Sequence, residues 1–161
     1  MLTRNELCAR VSYDPETGEF AWLGKLNSNA KRKAGWMTRY GYWAFKCGGR
    51  IYMAHRLAFL YMTGEFPRDQ IDHINGVRHD NRWGNLREVT QRLNNQNIRK
   101  AKRVSSIGLL GVYPSHGTGR FCARIRDGSG KRIHLGTFST PELAHETYLK
   151  AKRALHAGNT L

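Results

Sequence analysis

Residues 71–97 read IDHINGVRHDNRWGNLREVTQRLNNQN, and the local signals in this run predict a strand, a loop, a second strand and a helix. The first strand covers residues 71–73, and the Asn-Gly pair behind it is a strong turn signal. The second strand covers residues 86–89, after which Thr90 is placed to cap a helix. This order of elements predicts one compact unit.

Three polar side chains of this unit have the chemistry to hydrolyse a phosphodiester, namely Asp72, His73 and Asn94. Hydrolysis needs a base that deprotonates water and a cation that offsets charge on the leaving oxygen. Histidine suits the base, and carboxylate and amide oxygens suit a hard cation such as Mg²⁺. A lone loop histidine more often makes an ordinary hydrogen bond, so the interpretation depends on the three occurring together.

The polar positions of the unit have a recognisable spacing, formed by Asp72-His73, Asn85-Leu86 and Asn94. This spacing resembles the HNH signature of phage and intron-encoded homing endonucleases, in the subgroup that ends on Asn. Residues 54–58 and 64–67 also resemble the stretch that precedes the motif in that family. The resemblance covers roughly residues 40–97.

The resemblance implies a ββα-metal fold within an α+β protein, and hydrolysis of double-stranded DNA to 5′-phosphate and 3′-hydroxyl ends. His73 would be the general base, and Asn85 would brace the loop and help to orient it. Asp72 and Asn94 would hold one divalent cation, Mg²⁺ in the first place with Mn²⁺ as the alternative. The resemblance implies no small-molecule cofactor.

Two β-hairpins and a helix are predicted ahead of this unit, from turn signals between short apolar runs. The strands of the first hairpin lie at residues 11–13 and 19–22, and those of the second at residues 42–46 and 50–53. The helix lies at residues 54–62. Gly64 is the expected end of the helix. We therefore predict a nuclease domain over residues 1–97, with its core motif at residues 68–97.

A second module is predicted over residues 108–161, after a basic linker at residues 98–107. Three short antiparallel strands precede a helix that begins at the cap Thr140 and ends at Gly158. The pattern resembles an AP2/ERF-type DNA-binding domain, which implies that a three-stranded sheet packed on one helix enters the major groove. Phe121 stands where that family often has Trp.

The net charge of +15 favours a polyanionic partner. Residues 1–97 hold 15 basic and 9 acidic residues, a net +6, and residues 98–161 hold 12 and 3, a net +9. Strand alternation places Arg124 and Arg126 on one face, with a merely solvated basic face as the alternative. We assign His79 no role beyond a contact with a DNA phosphate. The predicted DNA contacts are Arg78, Arg82, Arg120, Arg124, Arg126, Lys131 and Arg132.

Several protein classes conflict with the composition. No apolar run is long enough to cross a bilayer, and the N-terminus lacks a signal peptide, so we expect a cytoplasmic protein and no membrane partner. The family resemblance implies a phage-encoded protein acting in a bacterial host. Cys8, Cys47 and Cys122 are too scattered for a zinc site or a disulfide framework, so free thiols are expected.

The leading interpretation is an enzyme that nicks or cleaves double-stranded DNA. The alternatives are a non-catalytic DNA-binding regulator, against which the intact catalytic set argues, and a structure-specific or RNA-directed nuclease. One site per chain makes nicking natural for a monomer, whereas cutting both strands needs a dimer or two events. We expect a monomer or a weak dimer.

Overall fold

The computed structural model describes residues 2–24, 32–98 and 106–156. Its residues cluster into two compact units, the first ending at Gln91 and the second beginning at Arg92. Most of the predicted linker and the helix stop at Gly158 lie outside the described residues. The domain bounds proposed from the sequence stay a prediction.

The first unit opens with helix α1 (Arg4–Cys8) and a β-hairpin of β1 (Val11–Asp14) and β2 (Glu19–Trp22). Thr3 and Glu6 form the capping box at the start of α1. The two strands pair antiparallel with Tyr13 opposite Phe20. The hairpin predicted from the turn sequence is therefore confirmed.

A three-stranded antiparallel sheet follows, from β3 (Trp36–Met37), β4 (Trp43–Cys47) and β5 (Arg50–Met53), in that spatial order. Helix α2 (Ala54–Thr63) comes directly after β5 and ends at Gly64, whose φ of 91° is a conformation that glycine adopts at little cost. Buried apolar side chains of both hairpins and both helices make one core. Its largest members include Phe20, Phe45, Leu7 and Leu57.

The predicted strand, loop, strand and helix follow α2 in the chain. They are β6 (Gln70–His73), β7 (Leu86–Val89) and α3 (Gln91–Gln96), and a 3₁₀ turn at Trp83–Asn85 ends the loop. β6 and β7 pair antiparallel, with Asp72 opposite Arg87. All but the first residue of α3 falls in the second unit.

The second unit holds β8 (Val112–Ser115), β9 (Arg120–Arg126), β10 (Arg132–Phe138) and α4 (Pro141–Leu155). β9 lies in the centre of an antiparallel sheet, and β10 carries an irregularity between His134 and Gly136. α4 begins at the predicted cap Thr140 and packs on the sheet. The likeness to AP2/ERF domains remains a prediction.

The sequence led us to expect no membrane-spanning helix and three free cysteine thiols. Within residues 2–24, 32–98 and 106–156, no helix has the length and apolarity needed to cross a membrane. Cys8, Cys47 and Cys122 are all free thiols, as expected.

Candidate functional site

The last two residues of β6 are Asp72, a predicted metal ligand, and His73, the predicted general base. Asp72 is 7% exposed and His73 is 5% exposed. Two polar side chains buried this deeply each need hydrogen-bonding or charged partners. Those partners come from the facing strand and from the loop that joins the strands.

Asp72 is paired across the sheet with Arg87. The guanidinium Nε and Nη2 both donate to Oδ2 of Asp72, at 3.0 and 2.8 Å. Arg87 is not among the site residues predicted from the sequence. The signal was present, because antiparallel pairing of the predicted strands puts these two residues opposite each other.

His73 is enclosed by polar and aromatic side chains. Its Nε2 lies 3.3 Å from Oδ1 of Asn81. Its ring centroid is 5.2 Å from that of His55 and 6.0 Å from that of Tyr42. Burial lowers the pKa of His73, while the hydrogen bond to Asn81 and the charge of Asp72 oppose that shift. A neutral imidazole of this kind can accept a proton from water.

His55, at the start of α2, is the second buried histidine beside the site. Burial, the neighbouring His73 and Arg56 lower its pKa to about 3. Its Nδ1 has no hydrogen-bond partner among the described residues. No local sequence pattern predicts the contact of His55 with His73, because the two residues lie on different elements.

The loop between the strands is fixed by Asn85, which is 8% exposed. Its Oδ1 accepts from the backbone N–H of Asn75 at 2.9 Å, and its Nδ2 donates to the carbonyl of Asp80 at 2.8 Å. Its own carbonyl accepts from the N–H of Ile74, the residue next to His73, at 2.9 Å. Asn85 thus joins both ends of the loop.

The two basic loop residues predicted to contact DNA have partners within the protein. Arg82 donates to both carboxylate oxygens of Asp80, at 2.8 and 2.6 Å. This interaction lowers the pKa of Asp80 to about 2. Arg78 donates to the carbonyl of Tyr40 at 3.0 Å, and its guanidinium lies 5.2 Å from the centroid of the Tyr42 ring.

The predicted metal ligands were Asp72 and Asn94. Among the described residues, no group of three or more His, Cys, Asp and Glu side chains is placed to hold a metal ion. The carboxylate of Asp72 suits a hard cation that takes its other ligands from amides, water and phosphate, as Mg²⁺ usually does. Asn94 lies in α3, in the second unit. Its role as a ligand stays a prediction.

The sheet of the second unit has one apolar and one basic face. Ala123 and Ile125 are buried in the core under α4, as the alternation predicted. Arg124 lies on the opposite face, with its guanidinium 5.7 Å from the ring centroid of the exposed Tyr113. The basic residues of β9 and β10 and the preceding turn are Arg120, Arg124, Arg126, Lys131 and Arg132.

Comparison with known proteins gives a match to one family model. Residues 52–96, from β5 to α3, match a family model described as HNH endonuclease. No curated relative matches the chain. One solved structure, described as "DNA binding and cleavage by the HNH homing endonuclease I-HmuI", is similar with a TM-score of 0.43 and 19% identity over 92% of this chain and 88% of that chain.

The family match confirms the expected HNH unit. Its range includes the predicted catalytic and metal-binding residues, which are Asp72, His73, Asn85 and Asn94. The match assigns an HNH endonuclease unit to residues 52–96, and such a unit supports a DNA-cleaving hydrolase.

Proposed function

We propose that this protein is a metal-dependent endonuclease that nicks or cleaves double-stranded DNA, with His73 as its general base. The observation that supports this most directly is the adjacent burial of Asp72 and His73 on β6, inside the matched HNH range. Asp72 and Asn94 are the proposed ligands of one divalent cation, Mg²⁺ or Mn²⁺.

The proposed reaction is hydrolysis of a phosphodiester by water. His73 takes a proton from the attacking water, for which its imidazole must be neutral, as burial favours. Asn85 keeps the loop in the shape that presents His73 to the substrate. The cation, when bound, supplies positive charge against the developing charge of the phosphate and the leaving oxygen. The products are a 5′-phosphate and a 3′-hydroxyl.

The basic face of the second unit is the proposed DNA-holding surface. Arginine and lysine on an exposed sheet face bind phosphates and release condensed counterions. The arginines of β9 are the best placed, because their strand pairs on both edges and is held by α4. Whether they also read bases depends on the groove that the sheet enters.

Nicking of a supercoiled plasmid tests the proposal. We expect relaxed product with Mg²⁺ and none after chelation, and no product from His73→Ala under either condition. A fluorescent duplex should bind the wild type and His73→Ala equally, because phosphate contacts made elsewhere dominate affinity. Metal-independent binding with no cleavage by any divalent cation would instead indicate a DNA-binding regulator.

A further inference from the structure

Asn81 is the polar residue closest to full burial in the loop, at 2% exposure. Its side-chain amide contacts the backbone of His79 and the ring of His73. Nδ2 donates to the carbonyl of His79 at 3.2 Å, and Oδ1 faces Nε2 of His73 at 3.3 Å. A carbonyl can only accept, so the contact with His79 fixes which amide atom turns toward His73. Because Oδ1 also only accepts, a hydrogen bond between these two atoms requires the hydrogen of His73 to be on Nε2.

The β1–β2 hairpin contacts the backbone of Asn81 and of the two residues that follow it. The hydroxyl of Tyr13, a residue 7% exposed, donates to the carbonyl of Asn81 at 2.6 Å. The backbone N–H of Trp83 donates to the carbonyl of Pro15 at 2.9 Å. At Gly18 a Cβ atom would lie 2.4 Å from the backbone N of Arg82. The hairpin and the loop are thus in direct backbone contact.

We propose that Asn81, held by the β1–β2 hairpin, is a positioning residue that sets the orientation of His73 and keeps its hydrogen on Nε2. In a neutral imidazole the proton-accepting lone pair is then on Nδ1. The hairpin lies outside the matched HNH range, which begins at residue 52. It would therefore be a part of the catalytic apparatus that the motif does not contain. This inference rests on the proposed role of His73.

Two substitutions of Asn81 test the acceptor. Asn81→Leu removes it, and we expect single-turnover cleavage to slow about 100-fold because the base loses its alignment. Asn81→Asp keeps an acceptor oxygen at the same place and should recover to within about tenfold of wild type. Duplex affinity should stay within about twofold for both, because Asn81 is buried and affinity depends on phosphate contacts. Equal rates for Asn81→Leu and wild type would overturn the proposal.

A second pair of variants tests the hairpin while it keeps the aromatic rings in place. Tyr13→Phe removes only the hydroxyl that holds the carbonyl of Asn81 and keeps the ring stacked on Phe20. We expect cleavage to slow about tenfold with unchanged DNA affinity. The matched control is Tyr61→Phe, which removes the hydroxyl of a ring packed against Tyr13. Loss of rate in both variants or in neither would contradict a specific role for the hairpin.

The tautomer of His73 gives a readout that does not depend on cleavage. Nitrogen-15 NMR of the metal-free full chain at about pH 8, where imidazoles are neutral, should show the hydrogen of His73 on Nε2. The signal is assigned by its absence in His73→Ala. A hydrogen on Nδ1 would overturn the inference. If instead His73→Ala cleaves like wild type while the tautomer is as expected, the proposed base is wrong and the positioning contact stands.

Discussion

Arg87 donates two hydrogen bonds to a single carboxylate oxygen of Asp72, across the β6–β7 register. The side chain of Asp72 is 8% exposed and that of Arg87 is 28% exposed. A carboxylate this deeply buried needs a compensating charge. The pair therefore fixes the carboxylate of Asp72 beside the proposed base.

Arg87→Met should destabilise the first unit, because it leaves the buried carboxylate of Asp72 without its cationic partner. We expect a loss of about 3 kcal/mol, the lower end for breaking a buried pair since Arg87 is partly solvated. The double variant Arg87→Met with Asp72→Leu should regain most of it. Urea denaturation followed by tryptophan fluorescence measures this, because all four tryptophans lie before Arg92. Equal losses in the single and double variants would contradict the pairing argument.

The buried His55 predicts a pH dependence of stability. Its pKa is about 3 when folded, below the ordinary value of 6.5. Between these values the unfolded chain binds a proton that the folded chain does not, so the free energy of unfolding falls as the pH drops below 6.5. The slope is about 1.4 kcal/mol per pH unit for one such group. The lowered pKa of His73 acts in the same direction.

His55→Phe should flatten that slope by about 1.4 kcal/mol per pH unit in the acid window, measured by the same fluorescence assay at several pH values. The control is His116→Phe, which removes an exposed histidine of the second unit. A slope that His55→Phe leaves unchanged would show that this histidine is not kept neutral by the fold.

Gly18 predicts a stability difference between two similar glycines. Gly18 and Gly41 have φ values of 73° and 79°, so Gly→Ala imposes a similar backbone strain of about 1 kcal/mol at each. A Cβ at Gly18 would also meet the backbone of Asn81 and Arg82, whereas nothing lies within 4 Å of one at Gly41. Gly18→Ala should therefore lose clearly more stability by urea denaturation. Equal losses of stability in the two variants would mean that the hairpin does not approach the loop as closely as the structure places it.

Much of the fold could be predicted because its signals are local. The turn between β1 and β2, the helix cap at Thr140 and the helix stop at Gly64 each depend on a few adjacent residues. The HNH spacing likewise lies within one short run, which falls inside the range matched by the family model.

The contacts around the site could not be predicted in the same way, because they join distant segments. Tyr13 binds Asn81 across 68 positions of sequence, and no periodicity within either segment indicates that contact. His55 and His73 meet only once α2 packs beside β6. The partners of Arg78 and Arg82 are also tertiary or turn contacts. A charge pattern alone does not distinguish them from DNA-binding groups.

The proposed metal ligands can be tested without a cleavage assay. Asp72→Ala and Asn94→Ala should each weaken Mn²⁺ or Mg²⁺ binding in calorimetry, because each removes one oxygen donor from the first coordination sphere. Asn94→Asp should retain binding, since it supplies an oxygen at the same place. The matched control is Asn95→Ala, a neighbour on α3. Undiminished affinity in both alanine variants would exclude these ligands.

The basic face of the second unit predicts the salt dependence of DNA binding. In the double variant Arg124→Gln and Arg126→Gln, the slope of log affinity against log salt should become shallower by about 0.9 for each phosphate that the variant no longer neutralises. The control variant, Lys150→Gln with Arg153→Gln, removes the same charge from exposed positions of α4. A general effect of net charge would change both variants alike, whereas a DNA-holding sheet face requires the larger change in the first. Fluorescence anisotropy with one duplex over a range of salt concentrations distinguishes these outcomes. Identical slopes in the two variants would contradict the proposal that this sheet face binds DNA.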